Sequence, residues 1–82
     1  MHEKQLLKRI TSDPDIFSGK PIVRGLRVSV EMILSLLAQG APIKEILDDY
    51  PDIVVEDIQA CLAYAHAVIA HDSLDSISLA AH

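Results

Sequence analysis

Between Gly19 and Gly40 the chain reads Gly-Lys-Pro-Ile-Val-Arg-Gly-Leu-Arg-Val-Ser-Val-Glu-Met-Ile-Leu-Ser-Leu-Leu-Ala-Gln-Gly, and this stretch holds all three glycines. Its second half is the strongest constraint on the fold. Val30, Ile33, Leu34 and Leu37 recur at three and four residues, Met32 and Leu36 widen the stripe, and only Glu31, Ser35 and Gln39 are polar. That is the period of a helix, with one narrow edge left for water, so the other elements must pack around it. Ser29 stands at the N-cap, where a hydroxyl satisfies a free backbone N–H. Gly40 stands just past the end, where a left-handed residue closes a helix. Upstream, Pro21-Ile22-Val23 and Leu26-Arg27-Val28 are β-prone runs flanking Arg24-Gly25. They predict a β-hairpin whose corner uses the positive φ open to glycine.

The flanking segments follow from similar signals. Residues 2–9 form a short helix or fray, and Ile10-Thr11 reads as a stub of strand. Ser12-Asp13-Pro14-Asp15 is a turn in which Asp13 can bond its own downstream backbone, with Ile16 and Phe17 expected to anchor that loop on the core. Pro42 suits the first turn of a short helix through Ile43, Ile46 and Leu47, which Tyr50-Pro51 ends because the residue before proline avoids the α region. A longer helix is predicted over 55–70, its apolar stripe being Val55, Ile58, Leu62, Ala65 and Ile69. Glu56 and Asp57 lie in its first turn, where acids complement the helix dipole. Helix, short helix, turn, long helix is the outline of a helix-turn-helix unit.

A chain of 82 residues with 50% apolar and 4% aromatic residues builds one small aliphatic core, marginal enough that a second subunit would help. A single cysteine excludes an internal disulfide and suits a reducing compartment. The charged N-terminus lacks the apolar core of a signal peptide, and no run approaches membrane-spanning length. A cytoplasmic protein without a membrane partner is expected. The formal net charge of −5 disfavours nucleic acid on average, but it is unevenly spread. Lys4, Lys8, Arg9, Lys20, Arg24 and Arg27 precede the central helix, and no Lys or Arg follows Lys44. Such asymmetry is either ordinary solvated surface or two faces that meet different partners. The organisation expected is a lead segment over 1–9, a domain over 10–70 and a flexible tail over 71–82.

Asp13-Pro-Asp-Ile, Gly19-Lys-Pro-Ile-Val-Arg-Gly-Leu-Arg-Val, Gly40, Glu45-Ile-Leu-Asp-Asp-Tyr-Pro and Glu56-Asp-Ile-Gln-Ala-Cys-Leu-Ala-Tyr-Ala together resemble the prokaryotic domain-of-unknown-function family numbered 433. The match runs over roughly residues 10–70 without gaps. The resemblance implies a mainly α, three-helix homeodomain-like helix-turn-helix domain preceded by the short β-hairpin. It also implies a likeness to VapB-type antitoxins, which are often encoded beside a small PIN-like ribonuclease toxin. Two residues depart from the family pattern: Leu26 replaces a usual Thr at the hairpin corner, and Val54 replaces the Thr or Ser that would cap the last helix. The first removes a polar contact at the corner, and the second predicts a frayed helix start, worth about 1 kcal/mol.

The candidate nucleic-acid-binding residues are Lys20, Arg24 and Arg27 on the hairpin and Gln59 on the last helix. Recognition helices carry Arg, Lys, Asn or Gln in their N-terminal half, but here Glu56 and Asp57 would face phosphate. The hairpin is therefore the better phosphate-facing surface, unless its arginines bond carboxylates or carbonyls of the chain itself. Ala60, Ala63, Ala67 and Ala70 form a smooth stripe, either simple helix filler or a dimer or partner interface. In the tail, Leu74, Ile77 and Leu79 are spaced apolar anchors in a Ser-rich segment, a pattern suited to folding on a partner. Cys61 reads as a buried inert thiol. His66, His71 and Asp72 fit no standard metal spacing. With no nucleophile beside an evident base, no phosphate loop and no paired carboxylates in apolar surroundings, neither an enzyme nor a cofactor is expected. The reading that follows is an antitoxin-like component of a type II toxin–antitoxin pair, likewise a homodimer, neutralising a PIN-like toxin and regulating its own operon. The alternative is a stand-alone DNA-binding regulator.

Overall fold

The computed structural model describes residues 2–71. In chain order the elements are α1 (Glu3–Leu7), β1 (Ile10–Thr11), a left-handed turn at Phe17–Gly19, β2 (Ile22–Val23), α2 (Val30–Ala38), α3 (Ile43–Asp49) and α4 (Val55–Ala70). The fold is mainly helical, with four helices among the described residues and one two-stranded antiparallel sheet. The extra helix over the expected three is α1, which neither frays nor stands apart but packs on α4.

Helix α2 begins and ends as its local signals require. Ser29 Oγ accepts the Met32 N–H at 3.0 Å. At the other end Gly40 adopts φ +86, while the Gly40 N–H reaches Leu37 O and the Ala41 N–H reaches Leu36 O, each at 3.0 Å. Those two bonds make the Schellman closure. Val30 and Ile33 of this helix are buried, and Leu34, Leu36 and Leu37 are half-buried against the same cluster. Val23 and Val28 from the hairpin, Ile46 from α3, Ile53 from the α3–α4 connection, and Ile58 and Cys61 from α4 complete the core. Tyr50 joins α2 to this layer by donating its hydroxyl to Met32 Sδ.

The strand pairing differs from the expected hairpin. Ile22–Val23 pairs with Ile10–Thr11, in the register Ile10 with Val23 and Thr11 with Ile22. The limb 26–28 is not a regular strand. It is held by the Val23 N–H to Val28 O bond at 3.0 Å and by a single bridge between Ile22 and Ser29. The corner itself forms as predicted, with Leu26 N–H bonding Val23 O at 2.7 Å. Both central residues take positive φ, 45 at Arg24 and 72 at Gly25, the signature of a type I′ turn. The polar contact at the corner comes from Thr11, whose Oγ1 accepts the Gly25 N–H at 2.9 Å, and Leu26 packs against the core instead.

Phe17 is a second correction. Phe17, Ser18 and Gly19 take φ of 49, 56 and 84 in succession, a single left-handed turn. Phe17 in this conformation is 40% exposed, so Ile16 alone of the pair is half-buried.

Candidate functional site

Two features of α4 define the functional geometry, and they lie on opposite sides of that helix. The first is Asp57, a carboxylate with 0% exposure. Its Oδ1 accepts from Arg9 Nη1 at 3.0 Å and from Arg24 Nε at 2.9 Å. Its Oδ2 accepts from Arg24 Nη2 and from the Val54 N–H, both at 2.9 Å. Arg24 thus grips the carboxylate with a two-pronged fork, the strongest geometry for this pair. Its Nη2 also donates to Asp52 O at 2.7 Å. A buried charge is tolerable only when paired and fully hydrogen-bonded, and both oxygens of Asp57 meet that condition.

The electrostatics follow from these contacts. Burial pulls the Asp57 carboxyl upward, but the bonds from Arg24, the Val54 N–H and Arg9 reverse this and hold it below the ordinary value of 3.8. Arg24 is raised above its ordinary value, first by its hydrogen bond to Asp57 and then by the charge of that carboxylate. Asp57 also answers the missing cap. Val54 has no acceptor side chain, yet α4 starts cleanly at Val55 because Asp57, three residues into the helix, accepts the Val54 N–H. The predicted fraying does not occur. The site pins three separate pieces of chain together: the residue before β1, the hairpin corner and the start of α4.

The second feature is apolar. Val55, Leu62 and Ile69 lie seven residues apart, on one face of α4, and Leu62 and Ile69 are 50% and 64% exposed. The expected stripe of Val55, Ile58, Leu62, Ala65 and Ile69 is therefore split. Ile58 enters the core, and the buried face is instead Asp57, Ile58, Ala60 and Cys61. The reason is packing space: α1 and β1 both contact α4, and alanine and cysteine allow that approach where leucine does not. Beside Ile69 lies an open apolar groove of about 330 Å³ between α2 and α4, lined mainly by Pro21, Val30, Leu34, Tyr64, Val68 and Ile69.

The other expected site residues are dispersed. Lys20 pairs with Glu31 at 3.0 Å across an exposed surface. Arg24 is committed to Asp57, the internal bonding that sequence reasoning had left open. Arg27 is exposed, as is Gln59 on the far side of α4 from Asp57. Ala60 is fully buried and so belongs to the core rather than to a surface stripe. Ala63 and Ala67 are half-buried and Ala70 is exposed. Leu74, Ile77 and Leu79 lie outside the described residues. Cys61 is buried with its thiol pushed up to about 11 by burial and by the neighbouring Asp57 charge, which makes it unreactive. His66 Nδ1 sits 2.9 Å from Glu3 Oε1, tying α4 to α1. Sequence reasoning missed Asp57. Its signal was there in the chain, an acid set between Val55 and Ile58 with unpaired arginines far upstream, but it read equally well as a dipole-favoured surface residue.

A family described as "Protein of unknown function (DUF433)" matches residues 10–65. The chain belongs to the DUF433 family. The DUF433 match takes in the hairpin corner, the Arg24–Asp57 pair, α2, α3 and most of α4, while α1, Arg9 and the Val68–Ile69 end of the groove lie outside it. A relative, the "Uncharacterized protein y4eO" of Sinorhizobium fredii (strain NBRC 101917 / NGR234), is 38% identical over 58 residues. That alignment takes in 71% of this chain but only 26% of the relative, so the chain spans about a quarter of the relative's length. No solved structure matches the chain significantly. Among the described residues no helix is long and apolar enough to cross a membrane.

Proposed function

We propose that the chain is a protein-binding module, the antitoxin-like component of a type II toxin–antitoxin pair that neutralises a PIN-like nuclease by occupying its surface. The observation that carries this reading is the distribution of chemistry on the outside of the domain. Of the three hairpin cations, Arg24 is consumed by Asp57 and Lys20 faces Glu31, which leaves Arg27 alone exposed without an acid partner among the described residues. Of the seven large apolar side chains exposed among the described residues, Val54, Val55, Leu62, Val68 and Ile69 belong to α4 or its cap. Phosphate binding needs free cations, whereas exposed aliphatic area gathered on one element marks a protein interface. The family resemblance supplies the antitoxin part of the proposal, and the helix-turn-helix reading of α2, α3 and α4 as a homeodomain-like unit belongs to it. Operon regulation would then be the work of the assembled pair.

The test is co-expression with the product of the adjacent open reading frame. The two proteins should co-purify, and adding this chain should suppress divalent-metal-dependent ribonuclease activity of the neighbour. Absence of a complex, together with salt-sensitive binding of this chain alone to its upstream DNA, would overturn the proposal in favour of a DNA-binding regulator.

A further inference from the structure

Residues 2–9 are fastened to α4 at both of their ends. Glu3 Oε1 lies 2.9 Å from His66 Nδ1 at one end, and Arg9 Nη1 donates to Asp57 Oδ1 at 3.0 Å at the other. The segment therefore runs antiparallel to α4. His66 and Asp57 are nine positions apart, about two and a half turns, so they project from opposite sides of the helix. To reach both, the segment has to cross one flank of α4. One flank carries Leu62 and Ile69, which face water. The crossing thus lies over the other, where buried Ala60 and half-buried Ala63 and Ala67 stand. We propose that residues 2–8 are a strap that swings off α4 as one unit, hinged at Arg9, while the domain from Ile10 onward stays folded, so that the strap gates the Ala63–Ala67 flank of α4. The inference goes beyond the protein-binding reading and depends on no partner's identity.

The strap is separate from the core that holds the domain together. No residue of α1 is buried. Leu6 and Leu7, the only apolar residues of that helix, are half-buried, yet neither packs against the core cluster, whereas Ile10 just beyond them does. Helix α1 has five residues, and His2 gives it no side-chain cap. A helix that short does not persist alone, so it keeps its shape only while seated on α4. The contact between Glu3 and His66 is exposed on both sides, and such surface pairs hold little. Arg9 differs in being fixed twice. Its side chain is held by Asp57, and its carbonyl accepts the Arg24 N–H at 2.8 Å. The pivot therefore stays in place when the strap leaves, and Asp57 keeps all its partners. Few buried contacts and solvent-exposed bonds are the marks of a segment that opens without global unfolding.

The experiment uses the full chain with one added cysteine, Ala63→Cys or Ala67→Cys, and follows its labelling by a maleimide under native conditions. The native Cys61 is a silent background, being buried with its thiol pushed up to about 11. Each added thiol should label far faster than Cys61 and at a rate insensitive to low urea, as local opening requires. Adding Leu6→Asp and Leu7→Asp should raise that rate about tenfold or more and leave the urea midpoint unchanged. Hydrogen exchange of the wild-type chain then distinguishes a unit from a fraying end. The Leu6 N–H, bonded to His2 O, and the Arg9 N–H, bonded to Leu6 O, should share one opening equilibrium, with Ile33 exchanging only on global unfolding. Added thiols that label no faster than Cys61 would overturn the proposal, because the strap would then open only with the whole domain. A labelling rate that the two aspartates leave unchanged overturns it as well, since the flank is then reached without opening. So does a urea midpoint that falls as far as for Ile58→Ala, which makes α1 part of the core. A graded loss of protection from Arg9 back to Leu6 means simple fraying and overturns the hinge.

Discussion

The two sides of α4 invert the usual arrangement: an acid is buried on one, and aliphatic side chains face water on the other. On the buried side Asp57 has every oxygen contact filled and a charge balanced by Arg9 and Arg24. On the open side Val55, Leu62 and Ile69 touch too little of their own chain to be covered. The buried side is locally expensive but closed, because the desolvation of the carboxylate is repaid only through those fixed contacts. The open side costs nothing specific within the chain, and its apolar area is still available to a second molecule. The buried side therefore carries structural integrity, and the protein contact proposed above would use the open one.

Breaking the buried side should have the largest effect. Asp57→Ala leaves two guanidinium groups without their carboxylate and Val54 without its acceptor, so it should cost about 3–5 kcal/mol, read as a collapse of the urea midpoint. For a domain of this size that approaches the whole folding free energy. A midpoint lowered only slightly would mean that water replaces the carboxylate, and that the pair is ornament rather than staple.

The acid limb of stability sharpens the same point. The Asp57 carboxyl titrates below its ordinary value when folded, so its contribution is fully present above the unfolded carboxylate value of about 3.9. It declines as pH falls through the lower folded value. The difference in urea midpoint between wild type and Asp57→Asn should accordingly be constant from neutral pH down to that range and shrink below it. A difference that stayed the same at the most acid pH would show that the charge on Asp57 does not act in folding.

Next in size is a pair of aliphatic substitutions that compares the faces directly. Ile58→Ala, in the core, should cost about 2–5 kcal/mol. Leu62→Ser, four residues along and exposed, should stay within about 0.5 kcal/mol in dilute protein. Equal losses would mean that Leu62 is packed in solution even at low concentration. The smallest expected effect has the opposite sign. Val54→Thr supplies a side-chain cap oxygen for the first-turn N–H groups of α4 and should add about 0.5–1 kcal/mol, measured as a rise in melting temperature.

What could be read from the chain alone tracks how local the physics is. Ser29 and Gly40 bracket α2 through contacts three to five residues away, and both behave as their residue types dictate. The Arg24–Gly25 corner was equally legible, since a tight turn depends on its own dihedrals. Asp57 was not, because its partners are 33 and 48 residues upstream and nothing nearby distinguishes it from Glu56. The α4 stripe was misplaced for a related reason. Hydropathy assigns leucine and isoleucine to the inside, but the inner face is set by the close approach of α1 and β1, which favours Ala60 and Cys61. Phe17 was expected inside on bulk alone, and a run of left-handed dihedrals holds it out.

The span of the Asp57 contacts also dictates when the domain can come into being during synthesis. A chain emerging N-terminus first presents Arg9 without its folded partner Asp57 until 48 further residues have been added. Arg24 waits through 33 of the same additions. The β1–β2 ladder is two residues long on each side, too short to persist by itself. The nascent N-terminal half should thus remain protease-sensitive and open until α4 emerges, and then close in one step rather than element by element.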